Sequence, residues 1–278
     1  MRDYAYYNGV MTPYDACTIP LYDRAIFFAE AVYDVMIGRG GIAYQLDEHL
    51  ERLTTNAEAI GLTNIPSKEE IEIGISDVLH EAGDGEFMLY VQLSGKGERR
   101  GHSRTESGAN LLITVTEARI PSELTFTDAI TLPDLRYGYC HLKTTNLLPA
   151  VFSIAEAERY GCDIAIFKRG DVITEASHAN VSLLKDGVLS THPLDSDILH
   201  GISERNLIEA AREIGIAHRR EVFTYRDIFE ADAVLLTSTT KLVRVCRSVD
   251  KRATECRALD EITEIFRLMM HDFMVKTT

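Results

Sequence analysis

The spacing of apolar and polar residues predicts a chain in which short strands and amphipathic helices alternate. Asn8-Gly9 separates two short apolar runs and is a strong signal for a type I′ hairpin turn. Apolar residues at helical spacing predict helices over 47–60 and 67–83, with Asp47 and Ser67 as their N-terminal caps. The other apolar runs of the first half predict strands at 4–7, 10–12, 32–38, 42–46, 87–93 and 110–116.

The second half of the chain continues this alternation. Apolar residues at helical spacing predict helices over 147–160, 203–215 and 258–275, and Pro149 suits the first turn of the first of them. The remaining apolar runs predict strands at 129–132, 163–167, 171–174, 181–184, 188–190, 231–236 and 242–246.

A short stretch with a central proline, Ile120-Pro121-Ser122, is typical of a linker between the two halves. We therefore predict two domains, a smaller N-terminal domain over 1–118 and a larger C-terminal domain over 119–278 that carries Lys143. The mixture of helices and strands predicts an α+β fold, and two such domains commonly hold a ligand between them.

Composition narrows the classes of protein to which the chain could belong. The chain has 278 residues, of which 45% are hydrophobic and 26% charged, as in an ordinary globular protein. Its formal net charge of −14 disfavours non-specific binding to nucleic acid. No apolar run is as long as a membrane span, and the first residues lack the pattern of a signal peptide. We therefore expect neither a membrane nor a nucleic-acid partner.

The cysteines indicate the cellular compartment. They are odd in number and share no CxxC spacing, so they suggest neither a disulfide framework nor a zinc site. We expect no metal, and a reducing cytoplasm is the simplest location. They lie at Cys17, Cys140, Cys162, Cys246 and Cys256.

A lysine and a glutamate are the first candidates for chemistry. Lys143 follows a predicted strand and precedes a predicted helix, and Glu175 ends a later apolar run. Taken alone, each is more simply explained as an ordinary surface charge. Arg52 is equally compatible with a surface pair to Glu48, and Thr239-Thr240 with a polar loop. The combination of these residues carries more information than any one of them.

Two stretches, His141–Asn146 and Thr174–Asn180, together resemble the core of the fold-type IV, or class IV, pyridoxal-phosphate (PLP) aminotransferases. The resemblance implies a two-domain α+β fold with the cofactor between the domains. It covers nearly the whole chain and also includes Asn8-Gly9, Asp23-Arg24, Val32-Tyr33, His49–Leu53, Gly201–Ser203 and Thr237–Thr240.

The resemblance implies a role for each matching residue at the cofactor ring. Lys143 forms the Schiff base with PLP in this family, and its released amine then moves the proton at the substrate Cα. Glu175 faces the pyridine nitrogen, where a carboxylate favours the protonated ring. Leu199 lies against the ring.

The phosphate of PLP has its own set of matching residues. The backbone N–H groups of Ile202 and Ser203 at a helix start, and the hydroxyls of Thr239 and Thr240, are donors suited to an anion. Arg52 would add a positive charge. The resemblance therefore implies that these five residues bind the phosphate.

Within the class IV family, the chain is most similar to the D-amino-acid (D-alanine) transaminases, in which residues matching Tyr33, Arg100 and His102 bind the substrate carboxylate. We therefore expect a ping-pong transamination. A D-amino acid such as D-alanine or D-glutamate would donate the amine, and a 2-oxo acid such as 2-oxoglutarate or pyruvate would accept it. The resemblance also implies a homodimer, because the family contributes the Arg100 loop to the neighbouring subunit's site.

Several positions depart from the family pattern. The family has a glycine-rich run where this chain has Phe28-Ala29-Glu30-Ala31, and we expect the added side chains to narrow the site or shift Tyr33. Ala176 stands where glycine is usual, and Asp34 where glutamate is common. The polar loop Ser94–Gly108 carries extra charge.

These departures leave other activities open on the same fold. The alternatives are a branched-chain L-amino-acid transaminase, an (R)-amine transaminase and an aminodeoxychorismate lyase. Arg100 and His102 argue against the amine transaminase, since a substrate without a carboxylate gives them nothing to pair with. A non-catalytic PLP-binding protein is a further alternative, and the presence of both Lys143 and Glu175 argues against it.

Overall fold

The computed structural model describes residues 1–103 and 108–278, so residues 104–107 of the predicted polar loop lie outside the described residues. The chain divides into two compact units. The first unit consists of Met1–Ile120, Leu142–Asn146 and Phe273–Thr278. The second consists of Pro121–His141 and Leu147–Asp272. The short segment around Lys143 therefore belongs to the first unit, although the chain on both sides of it belongs to the second.

The first unit contains an antiparallel sheet with helices. Its strands lie in the order β2-β1-β6-β5-β3-β4. The elements are β1 (Tyr4–Tyr7), β2 (Val10–Pro13), the short helix α1 (Arg24–Phe28), β3 (Ala31–Arg39), β4 (Ile42–Ala43), α2 (Leu46–Ala59), α3 (Lys68–Ala82), β5 (Glu86–Gly95) and β6 (Ala109–Glu117).

The core of the first unit forms where α2 and α3 bury their apolar faces against this sheet. Leu50 and Leu53 share one face of α2, as their spacing predicts, and both are fully buried. Ile71 and Val78 do the same on α3, and Val91 is one of the strand residues in the same cluster. Burial of such side chains supplies most of the stability of the unit.

Local sequence signals were mostly right in this unit. Asn8 and Gly9 both have positive φ, 48° and 90°, so the predicted hairpin turn is confirmed. Ser67 caps α3 in a capping box with Glu70, which confirms the second cap. The prediction for Asp47 was wrong. The helix α2 begins one residue earlier, which places Asp47 in the first turn, where its charge still favours the helix dipole.

The second unit contains a mixed sheet. Its strands lie in the order β12-β11-β10-β13-β14-β7-β8-β9, and β15 pairs with β14. The elements are β7 (Thr125–Pro133), α4 (Leu148–Arg159), β8 (Ile164–Arg169), β9 (Val172–Ala176), β10 (Asn180–Lys185), β11 (Val188–Thr191), α5 (Ile202–Glu213), β12 (Ala217–Arg220), α6 (Tyr225–Glu230), β13 (Ala233–Ser238), β14 (Leu242–Val249) and β15 (Arg252–Ala253).

The core of the second unit lies on the apolar strands of this sheet. Ile164 and Ile166 of β8 and Val234 and Leu236 of β13 are fully buried and belong to one cluster. The strands β7, β8 and β14 pair in parallel, whereas β10 pairs with both of its neighbours in antiparallel fashion. The last helix, α7 (Leu259–Lys276), belongs to the second unit as far as Asp272 and to the first unit from Phe273 onward.

Several short elements escaped the sequence analysis. The helices α1 and α6 are too short to establish a helical period, β12 has the sequence Ala-His-Arg-Arg, which has no apolar alternation, and β15 has only two residues. In the part of the chain that the structure describes, no helix combines the length and the hydropathy needed to cross a bilayer.

Candidate active site

Lys143 is held by backbone pairing with the start of β3. The amide of Tyr33 donates to the carbonyl of Lys143 at 3.0 Å, and the amide of Thr145 donates to the carbonyl of Ala31 at 3.1 Å. Val32 and Thr144 form an antiparallel bridge between these bonds. The lysine backbone is therefore fixed in register with the strand that carries Tyr33. The Lys143 Nζ atom lies 4.5 Å from the centre of the Tyr33 ring.

The turn before β3 also holds the lysine segment. The carbonyl of Ala29 accepts bonds from the Thr145 hydroxyl at 3.2 Å and from the Asn146 side-chain amide at 3.1 Å. Ala29 has φ 48° and ψ 33°, a left-handed conformation that disfavours a residue with a Cβ atom. A glycine is usual in this run of the family, and alanine here adopts the conformation that a glycine would adopt without strain.

The Tyr33 ring lies among aromatic and cationic groups. It stacks on Tyr90, with ring centres 5.3 Å apart and planes 20° apart. The Tyr90 hydroxyl donates to the Gln92 side chain at 2.6 Å. Burial raises the pKa of Tyr90 well above its usual value, and Tyr33 adds to that shift, so this hydroxyl stays protonated. The orientation of Tyr33 is thus defined by β3 and by Tyr90.

Arg52 forms a buried charge cluster beside Tyr33. It donates twice to Asp34, from Nε at 2.8 Å and from Nη2 at 2.7 Å, and the Nδ1 atom of His49 lies 2.8 Å from the same carboxylate. Burial alone would raise the pKa of Asp34, but Arg52 and His49 hold it well below its usual value. Burial lowers the pKa of His49 below its usual value and outweighs the opposing effect of Asp34.

Arg100 and His102 lie around one aromatic ring. The guanidinium carbon of Arg100 is 5.5 Å from the centre of the Phe28 ring, and the centres of the His102 and Phe28 rings are 5.4 Å apart. Both polar side chains are exposed, as a group that meets a dissolved substrate should be. The structure thus brings together these two members of the predicted carboxylate trap. Tyr33 belongs to the same unit.

Glu175 lies near the end of β9 in the second unit and is 5% exposed. Its Oε1 atom forms an ion pair with Nη1 of Arg136. Its Oε2 atom accepts hydrogen bonds from the side-chain amide of Asn180 and from the backbone amide of Leu199, both at 3.1 Å. The carboxylate is therefore fixed by donors on both of its oxygens, and one of these donors is the backbone amide of Leu199.

Arg136 is a partner of Glu175 that the sequence analysis missed. It donates to Asp134 from Nε at 2.9 Å and from Nη2 at 2.8 Å, and to the carbonyl of Asp197 at 3.0 Å. Burial alone would raise the pKa of Asp134, but Arg136 and Arg169 hold it below its usual value. The available signal was an Asp-x-Arg pattern directly after β7, which gave no indication of its partner Glu175.

Asn180 joins Glu175 to the start of α5. The side-chain amide of Asn180 donates to the Glu175 carboxylate and also to the carbonyl of Leu199, at 2.7 Å. A Cβ atom at Gly201 would lie 2.0 Å from Asn180 Oδ1, so only glycine permits this approach. Gly201 provides no side chain to cap α5, which leaves the N–H groups of Ile202 and Ser203 for an anion.

Thr239 and Thr240 follow the end of β13, which is the neighbour of β10. In that pairing Asn180 lies opposite Thr237. The pairing of β10 with β13 therefore links Asn180, which is a partner of Glu175, to the strand that leads into Thr239 and Thr240. The Thr237 hydroxyl is buried and has no hydrogen-bond partner among the described residues. The second unit thus connects Glu175, Leu199, the start of α5 and the threonine turn.

A second acid lies in the first turn of α5. Glu204 is 1% exposed and accepts a bond from Nη2 of Arg220 at 3.1 Å. Arg220 also donates to the carbonyl of His192 at 2.7 Å. Burial raises the pKa of Glu204 to about 7, and the nearby Glu175 charge raises it further, against the opposing effect of Arg220.

The groups in the two units fit PLP by their chemistry. The first unit offers the primary amine of Lys143 and the Arg52 guanidinium, and the second offers the Glu175 carboxylate and uncapped N–H groups with hydroxyls. Because Gly201 makes no side-chain cap, the N–H groups at the start of α5 are suited to an anion. Within residues 1–103 and 108–278, no group of three His, Cys, Asp or Glu side chains is arranged to hold a metal.

Comparison with known proteins adds independent information. Residues 31–249 match the model of the amino-transferase class IV family. A D-alanine aminotransferase of Listeria monocytogenes is 32% identical over 239 residues, which are 84% of this chain and 83% of that protein. A D-alanine aminotransferase of Staphylococcus epidermidis is 32% identical over 248 residues, 87% of this chain and 88% of that protein.

Solved structures show the same fold at lower identity. The branched-chain amino acid aminotransferase of Escherichia coli superimposes with a TM-score of 0.89 at 22% identity, and covers 100% of this chain and 96% of that chain. This likeness confirms the predicted fold. Because the family model matches most of the sequence and relatives above 30% identity cover most of both chains, the protein belongs to the class IV aminotransferase family and is a PLP-dependent transaminase.

Proposed function

We propose that the protein transfers the amino group of a D-amino acid, of the D-alanine or D-glutamate type, to a 2-oxo acid such as pyruvate or 2-oxoglutarate. The observation that carries this proposal is the placement of Arg100 and His102 on the Phe28 ring, at the positions that match the carboxylate-binding residues of the D-amino-acid subfamily. The D-alanine aminotransferases among its relatives support the same substrate class.

Lys143 has two tasks in this proposal. It would hold the cofactor covalently, and its amine, when free, would carry the proton at the substrate Cα. PLP, when bound, supplies the electron sink that makes this Cα–H bond weak enough to break. The backbone bonds from Tyr33 and to Ala31 limit the positions that the lysine can adopt, which favours a defined path for the proton.

Glu175 holds the proton at the pyridine nitrogen in this proposal. If the Glu175 carboxylate rotated away from the pyridine nitrogen, it would no longer contact that proton. The orientation of the Glu175 side chain therefore matters. Arg136, Asn180 and the Leu199 amide together occupy both of its oxygens and restrict that rotation. Arg136 and Asn180 thus act as positioning residues.

The phosphate and the ring complete the proposed cofactor contacts. Ile202 and Ser203 donate backbone N–H groups, Thr239 and Thr240 donate hydroxyls, and Arg52 supplies charge. Arg52 is oriented by Asp34. The Asp34 carboxylate accepts hydrogen bonds from both Nε and Nη2 of Arg52, which limits rotation of the guanidinium. Leu199 would pack on the ring.

The substrate carboxylate is proposed to bind Tyr33, Arg100 and His102, which defines the side of the site that it occupies. The substrate side chain then takes the other side, and one enantiomer presents its Cα proton to Lys143. We also propose a homodimer to which the Arg100 loop contributes across subunits, and a cytoplasmic location. Light scattering tests the dimer, and a fully active monomer would contradict it.

The experiment that tests the substrate class is a set of half-reactions. The yellow, cofactor-loaded enzyme is mixed with D- and L-alanine, D-glutamate, L-leucine and simple (R)-amines, and loss of the visible absorbance band is followed. D-alanine or D-glutamate should react fastest. Arg100→Ala should lose most of this rate and stay yellow, whereas Arg99→Ala, a matched change at an exposed arginine of the same loop, should keep it. Faster reaction with L-leucine than with any D-amino acid would reject the proposal in favour of the branched-chain alternative.

A further inference from the structure

One buried arginine holds the loop that carries Arg100 and His102. Arg24 lies in α1 and is 6% exposed. Its Nη1 atom donates to the carbonyls of Gly101 at 2.8 Å and Ser103 at 3.4 Å, and its Nη2 atom donates to the carbonyl of His102 at 3.4 Å. One planar guanidinium therefore reaches three successive carbonyls of the loop, a geometry that a lysine ammonium cannot reproduce.

Glu30 holds Arg24 in place. Its Oε2 atom accepts from Nε of Arg24 at 2.7 Å and lies 2.7 Å from Nη2, and the side chain of Glu30 is 11% exposed. The pair is largely removed from water, so loss of one partner leaves the other charge without compensation. Glu30 lies within the Phe28–Ala31 run, which departs from the family pattern.

The beginning of the loop is shaped around the same pair. A Cβ atom at Gly95 would lie 3.0 Å from Glu30 Oε1 and 3.2 Å from Arg24 Cδ. A Cβ atom at Gly97 would lie 2.9 Å from the Tyr22 carbonyl and 3.3 Å from Arg24 Cγ. Glycines at these two positions therefore let the loop pack directly on the ion pair.

The helix that carries Arg24 is itself anchored. Asp23 caps α1 by accepting from the Ala25 amide at 2.9 Å. Its second oxygen accepts from the hydroxyls of Tyr7 and Ser94, at 2.9 and 2.8 Å, and from the Asn110 amide at 2.8 Å. These partners lie on β1, at the end of β5 and on β6, so the sheet fixes the base from which Arg24 reaches the loop.

Phe28 completes the arrangement. Its ring lies 4.7 Å from the guanidinium carbon of Arg24, 5.5 Å from that of Arg100 and 5.4 Å from the His102 ring. The arginine that holds the backbone and the two side chains that would meet the substrate thus share one aromatic platform.

We propose that the Arg24–Glu30 ion pair is a positioning device that sets the affinity of this enzyme for the substrate carboxylate, by holding the 101–103 backbone and thereby Arg100 and His102. The inference rests on the proposed function for the identity of the carboxylate site. Arg24 and Glu30 are positioning residues, and neither needs to contact the substrate. Their loss should weaken binding of a carboxylate and leave the proton transfer by Lys143 nearly unchanged.

The test compares Glu30→Gln and Arg24→Lys with Arg99→Gln, which removes an exposed charge from the same loop. Glu30→Gln keeps the shape of the side chain and removes its charge, and Glu30→Asp restores the charge with a shorter reach. The KM and kcat for D-alanine are measured on the PLP-loaded enzymes, together with the inhibition constant for propionate, a carboxylate that has no amine. Amide hydrogen exchange of the peptide spanning 97–103 is measured on the same samples.

We expect Glu30→Gln and Arg24→Lys to raise the KM and the propionate inhibition constant about tenfold, the effect of losing about 1.4 kcal/mol. The kcat should change less than about threefold, and exchange in 97–103 should become about tenfold faster. Glu30→Asp should lie between Glu30→Gln and the parent, and Arg99→Gln should match the parent.

Other outcomes overturn the inference in separable ways. Unchanged exchange and unchanged KM in Glu30→Gln would show that the pair does not hold the loop. Faster exchange with an unchanged propionate constant would show that the loop does not set carboxylate affinity. If the parent reacts with no D-amino acid, the proposed function fails instead, and the exchange and propionate measurements still decide the inference. If Arg24→Lys does not fold, the two Glu30 variants carry the test.

Discussion

The backbone amide of Tyr33 donates to the carbonyl of Lys143 at 3.0 Å. This bond joins the proposed cofactor lysine to the strand that presents a proposed substrate ligand. A shift of β3 by one residue would move the Tyr33 side chain to the other face of the sheet and break this pairing. The position of the amine and that of the tyrosine are therefore set by a single strand register.

Lys143 should be the residue that carries the cofactor. Reduction of the yellow enzyme with borohydride, followed by peptide mapping, should place the pyridoxyl group on Lys143. Lys143→Ala should carry no pyridoxyl label after reduction and lose transamination, whereas Lys168→Ala, a change at a lysine that lies over Tyr225, should be yellow before reduction and active. A label on any other lysine of the parent would reject the proposed role.

Glu175→Gln should keep the cofactor bound and slow removal of the Cα proton by about a hundredfold, because an amide does not hold a proton on the pyridine nitrogen. Stopped-flow half-reactions with deuterated and ordinary D-alanine measure that step directly. Glu158→Gln, a change at an exposed glutamate of α4, serves as the control. Parent-like turnover in Glu175→Gln would show that this carboxylate is not the ring partner.

Ala29→Gly should stabilise the protein by about 0.5–1 kcal/mol. A Cβ atom in the left-handed conformation costs about 1–2 kcal/mol, and the extra freedom of glycine in the unfolded chain offsets part of the gain. Ala29 has φ 48°, so the argument applies to it. Chemical denaturation measures the change. Ala155→Gly in the exposed face of α4 should show the opposite sign, a loss of about 1 kcal/mol. If Ala29→Gly lowered the free energy of unfolding, the result would contradict backbone strain at Ala29.

Glu204 should make the stability of the protein depend on pH between about 4 and 7. Burial raises its pKa to about 7 in the folded state, against about 4.3 for an unperturbed glutamate. The folded state then binds more protons than the unfolded state in this range, so the contribution is fully present below pH 4.3 and is lost as pH rises to about 7. Denaturation of Glu204→Gln across this range should remove that fall, whereas parallel pH profiles of parent and variant would contradict the prediction.

The elements that sequence predicted best are those whose signals are local. The turn at Asn8-Gly9 and the cap at Ser67 depend on a few neighbouring residues, and both are confirmed. The predicted cap at Asp47 was wrong because Gln45, with a φ of 53°, adopts a left-handed conformation and is the N-cap of α2. The helix therefore starts at Leu46, one residue before Asp47. A local signal can be outweighed by one neighbouring residue of this kind.

The parts of the site that sequence did not predict depend on partners far apart in the chain. Arg136 reaches Glu175, and Arg24 reaches the carbonyls of 101–103, only after both units have folded their own strands. The departure at Glu30 was visible in the sequence, but the effect expected was a narrower site or a shifted Tyr33. The ion pair with Arg24 gives that glutamate a different explanation, one that no spacing rule contains.

The first unit is assembled from segments that are separated along the chain, and this has a consequence for its folding during synthesis on the ribosome. The chain emerges from its N-terminus, so the sheet of β1 to β6 is complete before Leu142–Asn146 has been made. Until then, the amide of Tyr33 and the carbonyl of Ala31 have no Lys143 and Thr145 to pair with. A nascent chain that ended at Ile120 would thus expose the start of β3 as an unpaired strand edge. Such an edge can pair with another chain and so favours aggregation.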